Sequence, residues 1–151
     1  MIIAIDPGIS TGWSIISEHA GLVACGIGEE WDLKIWGPVE WHAVIEMPRV
    51  YPRERVDPND LMVLARRVGR YEERLLNLAA MSIETVFPRT WKGTLDKETH
   101  HARGRRKMQP NELRIVDEAV TGLSKKATLD VLDAVNLALW KVGRLPLQGQ
   151  A

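Results

Sequence analysis

The stretch from Ala43 to Phe87 constrains the fold of this chain most. Ala43-Val44-Ile45 is a short apolar, β-branched run that stops at Glu46 and Pro48, the signature of a strand. Asp57-Pro58-Asn59-Asp60 then supplies a capping residue, a first-turn proline and an acidic third position. Leu61, Leu64, Ala65, Val68, Leu75, Leu78 and Ala79 follow at helical spacing, so a long amphipathic helix is predicted. Ile83 to Phe87 alternates as a further strand and ends at Pro88.

Three more strands are predicted ahead of that unit. Ile2 to Ile5 is closed by Asp6 and the Pro7-Gly8 turn, and Trp13 to Ile16 and Leu22 to Ile27 read as a hairpin around Gly21 that extends an antiparallel meander. Beyond Pro88 the sequence predicts a basic loop, then a helix from Pro110 closed by Gly122 and another from Thr128 that stops near Gly143 and Pro146. The expected architecture is α/β, a mixed five-stranded sheet with helices to cover both faces. Trp31, Trp36 and Trp41 are expected in a covering segment, packed mainly as core.

The 151 residues suit one domain, residues 1–151, with 45% apolar and 26% charged residues, and no apolar run approaches the roughly 18 residues of a membrane span. No leader precedes Ile2, which predicts a cytoplasmic protein. The lone Cys25 fits a reducing compartment and a small buried hydrophobe. Net charge is zero, which argues against affinity resting on phosphate neutralisation, yet its distribution is uneven. Arg89, Lys92, Lys97, Arg103, Arg105, Arg106 and Lys107 share their stretch with only Asp96 and Glu98, so a locally basic, nucleic-acid-binding face is expected there.

Four carboxylates stand where chemistry is plausible on physical grounds. Asp6 closes the first strand, although an aspartate before Pro-Gly also caps its own turn. Glu46 ends a buried strand without turn chemistry to explain it, and burying it unpaired costs several kcal/mol, so it needs a partner or a metal. Asp130 and Asp133 lie three apart on one helix face. The helix dipole accounts for Asp130 as well as a ligand role does, but less well for Asp133, a turn further in. Carboxylates without His or Cys suit hard ions, Mg²⁺ with Mn²⁺ as substitute, rather than thiolate-bound zinc.

Asp6-Pro7-Gly8 with Thr11-Gly12, Ile45-Glu46, and Asp130-Val131-Leu132-Asp133-Ala134 together resemble the RuvC-like Holliday junction resolvases of the ribonuclease H-like superfamily, particularly short phage-type versions. The likeness spans most of the chain in order and spacing. It implies a homodimer that cuts four-way junction DNA by two-metal-ion hydrolysis, with Asp6, Glu46, Asp130 and Asp133 as ligands of two ions and no small-molecule cofactor. Val86-Phe87-Pro88 leading to Trp91-Lys92 resembles the family's fifth strand and following lysine, which implies a phosphate contact for Lys92. Many bacterial members carry an aromatic wedge after the strand-four glutamate; here Arg49 stands there and Tyr51 is the nearest aromatic. His100 and His101 could reach a scissile phosphate, but adjacent residues in a charged loop are more often solvated, and they are read so here.

Three alternatives share parts of this pattern. Another nuclease of the same fold, acting on RNA–DNA hybrids or ribosomal RNA, would use the same carboxylates. A nucleotide-binding half of an actin-like ATPase or sugar kinase has a similar first phosphate loop but needs two such domains. A non-catalytic nucleic-acid-binding module would use the carboxylates as caps and salt-bridge partners.

Overall fold

The structure, a computed structural model, describes residues 1–8, 10–29, 39–49 and 57–147. Tyr51, Trp31 and Trp36 lie outside the described residues. Among the described residues, five strands, β1 (Ile2–Asp6), β2 (Gly12–Ser17), β3 (Gly21–Ile27), β4 (His42–Glu46) and β5 (Ser82–Val86), form one sheet in the order β3-β2-β1-β4-β5. β1 to β3 pair antiparallel as a meander, whereas β4 runs parallel to both β1 and β5. The parallel half follows from the helix α1 (Pro58–Asn77), which carries the chain from the end of β4 back to the start of β5.

Side chains alternate across the central strands and so divide the core into two layers. Ile3 and Ile5 of β1, with Ala43 and Ile45 of β4, pack with Trp41 and against Val68, Tyr71 and Leu75 of α1. Ile2, Ala4 and Val44 face the other way, onto α4 (Pro110–Val120) and α5 (Lys125–Lys141) through Val116, Val131, Val135 and Ala138. β1 is buried along its whole length, which is why its sequence is an unbroken apolar run up to Asp6. Among the described residues β5 is an edge strand, with Ser82, Glu84 and Thr85 exposed.

The segment after Pro88 departs from expectation. In place of a loop, residues Pro88–Trp91 form a short helix α2 and Lys97–Lys107 form α3, whose N-terminus is capped by Asp96 accepting from the Thr99 N–H at 2.9 Å. Its buried residues are His100, His101 and Gly104, so the helix has no apolar stripe for a periodicity search to find. Gly104 is required by packing, since a Cβ there would lie 1.8 Å from Asn136 Oδ1 on α5. The last helix also begins earlier than Thr128, at Lys125, where Ser124 Oγ accepts from the Ala127 N–H at 3.2 Å. Among the described residues no helix is long and apolar enough to cross a membrane.

Candidate active site

The sheet itself brings Asp6 and Glu46 together. Ile5 pairs with Ile45 across the parallel β1–β4 ladder, so the next residue of each strand leaves the sheet at the same end. By alternation both carboxylates point with Ala4 and Val44 toward the α5 layer. Asp6 is also paired with Gly12, and a Cβ at Gly12 would sit 2.0 Å from the Asp130 carbonyl oxygen. Glycine there is what lets the first turns of α5 close onto the strand ends. Ser14 Oγ donates to the Ala134 carbonyl at 2.8 Å and holds that approach.

Each carboxylate has a different environment. Asp6 is 9% exposed, and its pKa is raised well above the usual carboxylate range by burial first, then by the charges of Glu46, Asp133 and Asp130, with Lys92 opposing. Glu46 is raised by burial too, while Lys92 lowers it and Asp133 raises it. Its Oε2 accepts from Trp91 Nε1 at 2.8 Å and Lys92 Nζ at 3.3 Å. Asp130 is buried, its Oδ2 has no hydrogen-bond partner among the described residues, and burial raises its pKa. That oxygen lies above the turn after β1, 3.6 Å from where a Gly8 Cβ would stand. Arg67 fixes the turn from the α1 side by donating to the Gly8 carbonyl.

Asp133 is the best-compensated member. Burial works to raise its pKa, but a hydrogen bond with His101 and the nearby Lys92 and Lys97 outweigh that and hold it well below the usual range. Oδ1 lies 2.8 Å from His101 Nε2 and Oδ2 lies 2.8 Å from Lys97 Nζ. Burial opposes the charge on Lys97, yet the bond to Asp133 and the charges of Asp133, Asp6 and Asp130 raise its pKa.

Expectations for α3 therefore need correction. His100 and His101 are buried rather than solvated, because the helix turns them toward α2 and α5. His100 packs edge-on against Trp91 with ring centroids 5.0 Å apart, and burial pulls its pKa down to about 4, so it is neutral at pH 7. Of the basic set, Lys92 and Lys97 reach the carboxylates. Arg103 instead donates to the Pro146 carbonyl at 3.0 Å, Arg105 pairs with Asp117 at 2.8 Å, and Arg106 Nε donates to the Ala102 carbonyl at 3.3 Å. Lys107 ends α3, about 15 Å of helix from Lys97 at ~1.5 Å per residue. Arg89 is exposed on α2. The Arg49 guanidinium lies over the Phe87 ring, 5.0 Å from its centroid. It stands beside a groove of about 210 Å³ that Asp6, Pro7, Glu46, Pro48, Leu61 and Pro88 line.

The sequence does not mark Trp91 as a site residue, and it favours a solvated His101 over one that reaches the site. The i, i+4 spacing of Lys97 and His101 places both on one face, a signal available only once α3 is recognised as a helix. Oxygen-only donors, one of them a buried carboxylate oxygen without a partner among the described residues, fit a hard divalent cation. As placed, no three acidic, histidine or cysteine side chains among the described residues stand close enough to form a complete ion cage. Glu46 and Asp133 are engaged by the chain's own cations instead. Set against known proteins, the sequence matches no family model and no curated protein.

Proposed function

We propose that this chain is a metal-dependent endonuclease of the ribonuclease H-like fold that resolves four-way DNA junctions as a homodimer. One observation carries the catalytic part of this reading: two strand ends and a facing helix bring Asp6, Glu46, Asp130 and Asp133 within electrostatic reach of one another, and among the described residues the buried Asp130 Oδ2 has no hydrogen-bond partner. Burial and then the repulsion of its neighbours raise Asp6, and a divalent cation would relieve that repulsion. The mixed sheet flanked by helices supports the fold, and the motif resemblance supports the junction.

Asp6, Glu46, Asp130 and Asp133 would hold Mg²⁺ or Mn²⁺. When bound, such ions supply Lewis-acid activation of a water and a counter-charge for the leaving oxygen. Trp91 and His101 fix the orientation of Glu46 and Asp133 by hydrogen bonds. Lys92 and Lys97 put positive charge beside the carboxylates, where a phosphate would come to lie. Each protomer has one such site, and paired nicks in two strands require two-fold symmetry.

A second reading has its own support. Lys92 and Lys97 already neutralise Glu46 and Asp133, as in a non-catalytic nucleic-acid-binding module. A panel of labelled four-way junction, linear duplex and RNA–DNA hybrid, incubated with Mg²⁺ or Mn²⁺, separates the cases. Selective junction cutting is expected. Hybrid cutting alone would move the assignment to another nuclease of the fold, and binding without cutting would favour the module.

A further inference from the structure

We propose that Lys97 is a built-in competitor of the divalent cation: its ammonium and the ion contend for the same oxygen of Asp133. The proposal rests on reading the four carboxylates as a divalent-cation site. Lys97 Nζ lies 2.8 Å from Asp133 Oδ2. The negative charges that stabilise the ammonium, Asp133, Asp6 and Asp130, are three of the four that would stabilise the ion.

Lys97 is the first residue of α3, the end of a helix at which the backbone dipole disfavours a cation. The carboxylates, not the helix, therefore hold it in place. The other partner of Asp133 differs in kind. His101 is a buried ring on the opposite oxygen, the arrangement by which a ligand carboxylate is oriented, and it leaves Oδ2 to the competition. The Lys97 side chain is 54% exposed, so it can swing into solvent without unpacking the helix. Lys92 has less freedom: its side chain is 18% exposed and its ammonium lies over the Trp91 ring, 5.0 Å from the centroid. Cation loading is thus coupled to release of one lysine at the mouth of the site, which frees that charge for a phosphate.

The test measures Mn²⁺ affinity by calorimetry on the full chain for wild type, Lys97→Met and Lys107→Met, with no nucleic acid present. Lys97→Met is expected to bind about tenfold more tightly, since it removes both the competitor and its repulsion, while Lys107→Met stays within about twofold of wild type. Unchanged or weaker binding in Lys97→Met, with wild type binding normally, would overturn the inference and leave the site reading standing. Absence of Mn²⁺ binding in all three proteins would overturn both. A second measurement needs no variant: acylation of lysines in wild type, read by mass spectrometry, should be faster at Lys97 and unchanged at Lys107 when Mn²⁺ is added. Equal labelling of Lys97 with and without the ion would also overturn the proposal.

Discussion

Glu112 should carry a large, pH-dependent part of the stability of this fold. Its carboxylate is 1% exposed in the first turn of α4 and accepts four bonds: from the Leu22 N–H of β3 and the Gln109 N–H, each at 2.7 Å, and from two Arg144 nitrogens at 2.6 and 2.7 Å. Burial works to raise its pKa, but Arg144 and the two backbone donors outweigh it and bring it from 4.5 down to about 2. At about 1.4 kcal/mol per tenfold change in proton affinity, that gap is worth about 3 kcal/mol. Solvent reaches Arg144, whose side chain is 29% exposed, so this is the upper end. Glu112→Gln turns an amide N–H toward those donors. It should lower the unfolding free energy by about 3 kcal/mol at pH 7, a fall in Tm of roughly 6–12 °C. A depressed carboxylate pKa gives stability that is present above 4.5 and lost as pH falls toward 2, so less than half of the difference should remain near pH 3. Urea unfolding of both proteins at pH 7, 4 and 3 measures this. A difference that stays constant with pH would show that packing, not charge, sets the cost.

Other perturbations should act as follows. Asp6 has a raised pKa, so its ionisation costs stability as pH rises above the unfolded value; Asp6→Asn should therefore raise Tm at pH 7 in chelator and not below about pH 4, as thermal melts would show. Trp91→Phe removes the donor to Glu46 and should weaken Mn²⁺ binding by about 10–100-fold in calorimetry. Gly104→Ala forces a methyl against Asn136 and should cost about 1–3 kcal/mol in denaturant unfolding. Arg105→Ala breaks only an exposed pair with Asp117 and should change stability by less than about 1 kcal/mol in the same assay.

The sheet was legible because its strands are short apolar runs stopped by Pro-Gly, Pro48 and Pro88, and α1 because its cap, proline and apolar stripe agree. α3 was not, because what it buries is two histidines and a glycine, held by Asp133, Trp91 and Asn136 rather than by an apolar stripe. The start of α5 at the Ser124 cap is hidden for a similar reason: the first turn of α5 is polar, and apolar spacing starts only later. The positions of Asp6, Glu46, Asp130 and Asp133 could be read as strand ends and a helix face. Their partners could not, since Trp91, Lys97 and His101 meet them only through tertiary contacts.

Mapping the cuts in an end-labelled four-way junction, at nucleotide resolution, tests the central claim most directly. With Mg²⁺ or Mn²⁺ the wild-type protein should leave two nicks related by the junction's symmetry, and both chelator and Asp6→Asn should abolish them. Intact junction strands from a folded, junction-bound protein supplied with either metal would contradict the account.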